Sequence, residues 1–292
     1  MFEKIISNTS KIVVGNSEKI KLTLAAIVSE GSILIEDYPG SGKTTFAKAI
    51  TQSLGLNFKR VQFTSDLLPS DIIGFNIFLD GKLNFQKGPI FTNIVLADEL
   101  NRGSPKSQSA FLEAMEEKNV SIDGISHSLP EPFFVIATQN PMDTSGTSSL
   151  PDSQLDRFMI SYSLSDLNDE DKIEMLKKEI NFDQQKSENI NWQKIKERKN
   201  MITIKNEIYK YVVSVEQRIQ SLDQKIYVSA RCLKQIIDLA RGWAIINNKD
   251  YVTHQDIKDT IPYILRHRIR FLNQDEKIEF VNKEILEKID IN

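Results

Sequence analysis

Apolar residues fall in short runs along the first half of the chain, and segments with helical character separate these runs. Five runs rich in Val, Ile and Phe are candidate strands, at residues 32–36, 58–63, 94–97, 133–138 and 159–164. Because most of them do not alternate between apolar and polar positions, they predict strands that are covered on both faces. The pattern therefore predicts an α/β fold around a parallel sheet.

Two Asp-Gly pairs interrupt this pattern, at Asp80-Gly81 and Asp123-Gly124. Both pairs have apolar flanks, and Asp-Gly favours the tight turn of a β-hairpin. We therefore expect two hairpins that extend from the α/β core.

Beyond residue 164 the periodicity becomes helical. Residues 166–169 can cap a helix that runs to about residue 180, and a polar stretch at 181–191 is typical of a linker. Further helices are predicted at residues 204–222, 229–247 and 253–265, and an amphipathic one carries Val281, Ile285 and Ile289. The sequence thus predicts an α/β domain at residues 1–165 and an all-helical domain at 166–292, with a linker at about 166–200.

Composition is that of an ordinary globular protein. The chain has 292 residues, of which 40% are apolar and 26% charged, and its net charge of −3 gives no basic field for nucleic acid or an anionic membrane. Cys232 is the only cysteine, so no internal disulfide can form. The start of the chain lacks a signal-peptide core, and the apolar run at residues 22–28 is too short to span a bilayer. These features predict a cytoplasmic protein without membrane insertion.

A glycine-bearing turn joins the first predicted strand to a helix. The turn and the helix start comprise Pro39, Gly40, Ser41, Gly42, Lys43, Thr44 and Thr45. In such a turn the backbone N–H groups and the helix N-terminus bind phosphate, the lysine reaches the terminal phosphates and the first threonine binds Mg²⁺. Asp37 stands where the usual pattern has its first glycine. Because the strand, turn and helix are all predicted, we expect a nucleotide phosphate site here.

Two acids follow the run at residues 94–97. A buried strand presents its last side chains at the carboxyl edge of the sheet, where ligands bind in open α/β folds. Asp98 is therefore a candidate Mg²⁺ ligand, and Glu99 is a candidate base that orients or deprotonates the attacking water. A strand ending in two acids is a weak signal alone. Two strands after a phosphate loop it indicates hydrolysis, because a protein that only binds nucleotide does not need Glu99.

Two further polar residues are candidates for the same site. Asn140 follows the run at residues 133–138 and can hydrogen-bond the γ-phosphate or the water, whereas Asn140-Pro141 alone equally predicts a plain turn. Arg157 precedes the last predicted strand and can stabilise transition-state charge on phosphate. The alternative for Arg157 is a surface ion pair with Asp152 or Asp156.

Taken together, these motifs resemble those of the MoxR family of AAA+ ATPases. The resemblance covers most of the chain, at Val14-Gly15 and at residues 36–44, 63–72, 88–91, 96–102, 104–110, 114–117, 136–141, 150–158, 229–231, 250–253 and 265–268. Several of these segments are particular to the MoxR family, which tolerates Asp at the position of Asp37. The resemblance implies that residues 74–87 form the helix-2 insert of this clade and residues 120–129 the hairpin before the first sensor.

The resemblance also implies a role for each matched residue. Those at the subunit's own nucleotide are Lys43 and Thr44 of the phosphate loop, Asp98 and Glu99 for Mg²⁺ and water, Asn140 as the first sensor, and Val14 and Gly15 near adenine. Arg157 is implied to be the arginine finger that reaches a neighbouring subunit's ATP, and Arg231 the second sensor for its own subunit's nucleotide. Arg102 is a second candidate for the interface arginine, or an ordinary ion-pair partner of Glu99.

The function implied by the resemblance is Mg²⁺-dependent ATP hydrolysis in a hexameric ring. Members of this family act as chaperone-like remodellers or maturation factors for protein complexes, many with a separate partner that carries a von Willebrand factor A domain. Intact Glu99 argues against a nucleotide switch that does not hydrolyse ATP.

The alternative function is an AAA+ motor or loader on nucleic acid. It is disfavoured because the hairpin at residues 119–129 has no Lys or Arg at its tip, and phosphate contacts dominate nucleic-acid affinity. The basic cluster Arg266-His267-Arg268-Arg270 is expected instead to serve subunit contacts or solvation. Phe75, Phe78 and Phe85 of the insert are expected to cover their own hydrophobic face rather than to grip a client.

Overall fold

The computed structural model describes residues 1–79, 81–140, 150–164, 167–177, 182, 187–188, 190–222, 226–274 and 276–289. The strands, in chain order, are β1 (Ile33–Glu36), β2 (Phe58–Gln62), β3 (Gly74–Leu79), β4 (Lys82–Lys87), β5 (Ile94–Asp98), β6 (Asn119–Ile122), β7 (Ile125–Ser128), β8 (Phe134–Gln139) and β9 (Ile160–Tyr162). Several predicted features fall outside these residues, namely the turn residues Asp80 and Pro141, the domain boundary at 165–166 and most of the linker at 181–191.

A parallel five-stranded sheet forms the centre of the molecule, with the strand order β2-β5-β8-β1-β9. The predicted α/β architecture and all five predicted strands are confirmed. Both faces of the sheet are covered, since Ile33 and Ile35 of β1 join one buried cluster and Leu34 joins the other. This two-sided burial explains why the strands appear in the sequence as continuous apolar runs.

The two predicted hairpins are confirmed as the antiparallel pairs β3–β4 and β6–β7. They lie side by side: Asn76 Nδ2 donates to Asp123 Oδ2 at 2.7 Å, and the rings of Phe85 and His127 stack with centroids 4.1 Å apart. Phe85 is thus covered by the neighbouring hairpin and by the ring of Phe91, with centroids 5.4 Å apart, rather than exposed. The expectation is wrong for Phe78, whose surface is 72% exposed, and for Phe75, which is half exposed.

Twelve α-helices are present in the described part of the chain. They are α1 (Phe2–Ser10), α2 (Ser17–Val28), α3 (Lys43–Ser53), α4 (Pro69–Ile73), α5 (Pro105–Glu117), α6 (Asp152–Leu155), α7 (Asp169–Lys177), α8 (Trp192–Met201), α9 (Asn206–Gln220), α10 (Ala230–Ile246), α11 (His254–Leu265) and α12 (Glu276–Phe280). Short 3₁₀ turns span Leu100–Arg102, Arg266–Arg268 and Leu286–Lys288, and a π-helical turn spans Val281–Ile285. Side-chain caps fix several helix starts, as where Ser229 accepts from the backbone N–H of Cys232 at 3.0 Å.

The second half of the described chain is helical, as predicted, but its last segment differs. Val281 and Ile285 are fully buried, although they lie on a π-helical turn followed by a 3₁₀ turn rather than on a continuous α-helix. Helices α1, α2 and α8 were not predicted.

Helix α2 packs closely against α10 of the helical region. A Cβ atom on Gly242 would lie 2.3 Å from the carbonyl oxygen of Ala25 and 2.4 Å from Oγ of Ser29, so only glycine permits this approach. Ser29 also donates to the carbonyl of Asp238 at 2.7 Å. The first and second halves of the chain thus share one buried cluster, and the division at residues 165–166 stays a prediction.

Candidate functional site

The turn after β1 has the geometry expected for a phosphate-binding loop. Gly40 and Gly42 have φ angles of +85° and +84°, which residues with a Cβ adopt only under strain, and Gly42 is the N-cap of α3. Lys43 lies across the turn and donates from Nζ to the carbonyl oxygens of Tyr38 at 2.6 Å and Asp37 at 3.2 Å. The loop therefore presents backbone N–H groups and one lysine at the carboxyl end of β1.

The predicted phosphate and hydrolysis residues meet at one cavity of about 370 Å³. Its lining comprises Pro39, Gly40, Ser41, Gly42, Lys43, Thr44, Thr45, Arg60, Asp98, Glu99, Thr138, Gln139 and Asn140. Strand order explains this convergence. Strands β5, β8 and β1 are neighbours in the sheet, so the segments after them lie at the same edge.

The carboxylate of Asp98 is largely buried and has a partner on each oxygen. Oδ1 accepts from the hydroxyl of Thr138 at 2.6 Å, and Oδ2 accepts from Arg60 Nη2 at 2.6 Å. The Thr138 hydroxyl in turn accepts from the backbone N–H of Glu99 at 2.9 Å. One threonine on β8 therefore fixes both acids at the end of β5.

Glu99 has the left-handed φ angle of +53°, which is uncommon for a residue other than glycine. Its Oε2 accepts from Gln62 Nε2 at 2.7 Å and from Arg102 Nη1 at 3.2 Å. The ion-pair alternative for Arg102 is thus what the structure contains. An unusual backbone conformation held by several partners is typical of functional sites.

Arg60, Gln62 and Thr138 are site residues that the sequence analysis missed. Arg60 and Gln62 are two residues apart on β2, so they lie on the same face of the strand, and Gln62 pairs in register with Asp98 of β5. The available signal was this pair of polar side chains near the end of an otherwise suitable strand. This pair indicates a site residue only when β2 is known to lie next to β5, and the sequence alone does not specify that neighbour.

The donor set of the cavity fits Mg²⁺ bound together with a nucleotide. Mg²⁺ in such sites uses one or two carboxylates and completes its shell with phosphate oxygens and water. Asp98 supplies the carboxylate and Thr44 the hydroxyl, and both line the cavity. Within the described residues, no group of three or more His, Cys, Asp or Glu side chains forms a separate metal site.

Val14 and Gly15 do not line this cavity. Val14 is buried, and a Cβ on Gly15 would lie 2.6 Å from both Asp171 Oδ2 and Leu167 Cδ2, at the start of α7. Their predicted place near adenine stays a prediction.

Arg157 and Arg231 do not line the phosphate cavity either, but both contact the C-terminal half of α5. Arg157 donates from Nη1 to the carbonyl of Leu112 at 2.8 Å, and among the described residues it forms no ion pair with Asp152 or Asp156. Arg231 pairs with Glu116 at 2.7 Å and faces Asp156, the residue before Arg157, at 3.6 Å. Arg231 borders a second cavity, of about 870 Å³, together with Asp156, Arg268 and Arg270.

The expectation that the basic cluster serves solvation or subunit contacts is wrong for three of its members. Arg266, His267 and Arg268 are only 3%, 2% and 7% exposed. Burial, together with the neighbouring charge of Arg268, holds the pKa of His267 well below its ordinary value. His267 is therefore neutral at pH 7. Its Nε2 lies 2.8 Å from Nη1 of Arg268, which as a guanidinium is the donor.

Profiles of known families match both halves of the chain. Residues 32–160 match the ATPase family associated with various cellular activities (AAA), and residues 216–289 match the AAA lid domain. The fold and the site thus define an AAA-type ATPase domain followed by its helical lid.

Comparison with individual proteins identifies the family within this class of ATPases. Chaperone MoxR1 of Mycobacterium tuberculosis is 33% identical over 97% of this chain and 79% of its own length. The uncharacterised protein YeaC of Bacillus subtilis is 37% identical over 97% of this chain and 91% of its own length. The crystal structure of a proposed ATPase from Cytophaga hutchinsonii superposes with a TM-score of 0.85 at 36% identity, covering 99% of this chain and 94% of that one. The chain belongs to the MoxR family of AAA+ ATPases.

In the described parts of the chain, no helix is both long enough and apolar enough to cross a membrane.

Proposed function

We propose that this protein hydrolyses ATP with Mg²⁺, as an oligomer, and uses the energy to remodel or mature other protein complexes. The observation that carries the proposal is the convergence of Lys43, Thr44, Asp98, Glu99 and Asn140 on one cavity. Four other cavities in the described part of the chain lack this combination of a phosphate-binding turn with two acids at the sheet edge.

The chain's own groups supply most of the chemistry. Backbone N–H groups of residues 40–44 bind the phosphates, and Lys43 exchanges its contacts with the carbonyls of Asp37 and Tyr38 for the terminal phosphates. Thr44 and Asp98 would hold Mg²⁺, which would supply neutralisation of the charge on the transferred phosphoryl group. The buried Thr138 hydroxyl keeps the Asp98 carboxylate turned toward the cavity.

Glu99 is the proposed base for the attacking water. Gln62 and Arg102 both donate to Oε2 of its carboxylate, so the side chain has a defined direction before the water is bound. Asn140 lies on the same cavity, where its side chain can bind the γ-phosphate or the water.

The two arginines away from the cavity support an oligomer. We propose that Arg157 completes the ATP site of a neighbouring subunit, because it is not positioned to reach the phosphates of its own. The sequence assigned Arg231 to its own subunit. Its contacts with Glu116 and Asp156 favour action beside Arg157, at the neighbour's site. A hexameric ring is the assembly that we propose on the family resemblance.

The proposed client is a protein, with a separate partner that carries a von Willebrand factor A domain. The mycobacterial relative is named as a chaperone, which supports a protein client. Exposed Phe78 and Leu83 on the β3–β4 hairpin offer an apolar surface for it. Nucleic acid is disfavoured, because buried Arg266 and Arg268 are not available to bind phosphates. A cytoplasmic location remains a prediction.

The first test is ATPase activity per subunit as the protein concentration rises through the range in which size-exclusion chromatography detects assembly. A shared site predicts that activity rises with assembly. Constant activity down to the monomer would contradict the shared site and leave ATP hydrolysis intact. Absence of activity at every concentration would contradict the ATPase itself.

A subunit-mixing experiment tests the role of Arg157 directly. Arg157→Ala and Lys43→Ala subunits are each expected to be inactive alone. For Arg157→Ala, ATP turnover should fall by about 10³-fold or more. In a mixed assembly, Arg157 of a Lys43→Ala subunit can complete the intact phosphate loop of a neighbouring Arg157→Ala subunit. ATPase activity is therefore expected to return. Verified subunit exchange without recovery would rule out action between subunits.

A further inference from the structure

The 3₁₀ turn Arg266–Arg268, directly after α11, carries two buried arginines that contact different parts of the molecule. Arg266 contacts the end of β1, whereas Arg268 contacts the residue that precedes Arg157. A turn of this kind advances only about 2 Å per residue, so its two ends are displaced together.

Arg266 supports the subunit's own phosphate turn. Its Nη1 lies 3.4 Å from Oε2 of Glu36 and 3.3 Å from Oγ of Ser161. Glu36 is the last residue of β1, immediately before the turn, and its Oε1 accepts from Gln139 Nε2 at 2.7 Å. Gln139 lines the phosphate cavity beside Asn140. The Glu36 carboxylate therefore ties the ends of β1 and β8 to Arg266.

Arg268 supports residues that lie close in sequence to Arg157 and Arg231. It donates to Oδ1 of Asp156 from Nη2 at 3.0 Å and from Nε at 3.3 Å. The other oxygen of Asp156 accepts from Oγ of Ser229 at 2.7 Å and faces Arg231. Asp156 precedes Arg157, and Ser229 caps α10 two residues before Arg231. One buried carboxylate is thus bonded to the segments that position Arg157 and Arg231.

Both pairs are buried ion pairs, in which the loss of one partner leaves an uncompensated charge inside the protein. Separating either arginine from its carboxylate is therefore costly. A displacement of the phosphate turn that reached Glu36 would favour a displacement of the Arg266–Arg268 turn and of Asp156.

We propose that the Arg266–Arg268 turn couples each subunit's own nucleotide site to the arginines that it offers to its neighbour. Arg266 is a positioning residue for the phosphate turn, and Arg268 is a positioning residue for Arg157 and Arg231. The inference rests on the proposed function, since it requires sites that are shared between subunits. It goes beyond that function by naming the link from one site to the next.

Subunit mixing distinguishes the two arginines, although they are only two residues apart. Arg268→Gln impairs the arginines offered to a neighbour, so Lys43→Ala subunits, whose arginines are intact, should rescue it and Arg157→Ala subunits should not. Arg266→Gln impairs the subunit's own site, so the pattern should be the reverse. Each variant alone should lose about tenfold in turnover. In a 1:1 mixture with its rescuing partner, activity should rise about fivefold above the mean of the two separate proteins.

A merely structural role predicts a different result. If lost turnover reflects a loosened fold, neither partner rescues either variant, and that outcome overturns the proposal. Rescue of both variants by the same partner, or full activity of Arg268→Gln alone, also overturns it. Arg268→Lys, which keeps the charge but not the forked contact with Asp156, is measured in parallel. If Arg268→Gln does not assemble, the same rescue pattern is required of Arg268→Lys.

The subunit-mixing experiment has two controls, which serve as its references. Arg198→Gln removes an exposed arginine that pairs with Asp250 at 3.4 Å, and it should keep wild-type turnover. The mixture of Arg157→Ala with Lys43→Ala reports on the shared site itself. If this reference recovers activity and the Arg268 mixture does not, only the coupling is wrong. If the reference fails, the shared site and the coupling are both rejected.

Discussion

Arg60 of β2 donates two hydrogen bonds to a single carboxylate oxygen of Asp98, from Nε at 2.9 Å and from Nη2 at 2.6 Å. Asp98 is the proposed carboxylate ligand of Mg²⁺, so a side-chain cation and the metal would compete for the same group. Arg60 is 48% exposed, which places the strength of this pair in the range of surface ion pairs, at up to about 1 kcal/mol.

Replacement of Arg60 by Ala is expected to lower the Mg²⁺ concentration needed for half-maximal binding of a fluorescent ATP analogue. The competing cation is then absent, and the change should be at most about fivefold, in line with the strength of an exposed pair. The matched control is Lys59→Ala, because its exposed side chain lies on the opposite face of β2. A higher Mg²⁺ requirement in Arg60→Ala would instead indicate that Arg60 assists nucleotide binding.

Replacement of Glu99 by Gln is expected to lower ATP turnover by about 10²- to 10⁴-fold, while ATP still binds. The amide has the size of the carboxylate and cannot accept the proton of the water. Single-turnover hydrolysis and equilibrium binding of ATP measure the two effects separately. Glu113→Gln, which alters an exposed acid away from the cavity, on α5, is the control. Turnover at the wild-type rate in Glu99→Gln would mean that another group activates the water.

Replacement of Phe78 by Ser on the exposed hairpin should leave basal ATP turnover within about twofold and stability within about 0.5 kcal/mol, because the ring contributes little to the core. Binding of a protein client should be weakened. The measurement compares the proteins held by Glu99→Gln subunits with and without this change. Leu176→Ser removes a similarly exposed apolar side chain from α7 and serves as the control. Equal capture by all three proteins would exclude the hairpin as the client surface.

Buried His267 predicts a loss of stability in mild acid. Its pKa in the folded protein is lowered by burial and by the charges of Arg268, Lys277 and Arg266, so between that value and about 6.5 the unfolded state binds more protons. The free energy of unfolding should therefore fall as the pH drops below about 6.5.

Urea unfolding at pH 7.5 and pH 5.5 measures this loss. His267→Gln should show less of it, since glutamine does not titrate and still offers an acceptor to Arg268. His254→Gln, at the start of α11, is the matched control for loss of a histidine. An equal acid loss in wild type and His267→Gln would assign the effect to other groups.

The sequence predicted those site residues that directly follow apolar runs. Asp98, Glu99 and Asn140 adjoin β5 and β8, whose runs are continuous because both faces of the sheet are covered. Arg60 and Gln62 were missed because their role depends on β2 lying next to β5. The order of strands is a property of the folded sheet rather than of any one segment.

Two other features were not predicted from the sequence, for a similar reason. Helix α2 is buried around most of its circumference and so lacks the polar face that marks an amphipathic helix. Arg266 and Arg268 appeared as surface charges because their partners, Glu36 and Asp156, are more than 100 residues away along the chain. In both cases the missing information is a contact between distant segments.

The close approach of α2 to α10 at Gly242 has a consequence for the way the molecule moves. Helix α2 precedes the nucleotide-binding strand β1, whereas α10 belongs to the helical lid, and the two are packed without a gap. A lid that swung freely would open this contact to water along most of α2. Because Thr23 of α2 also hydrogen-bonds Tyr162 of β9 at 2.6 Å within the same buried cluster, the motion that this packing permits is a rotation in which α2, α10 and the sheet turn as one body.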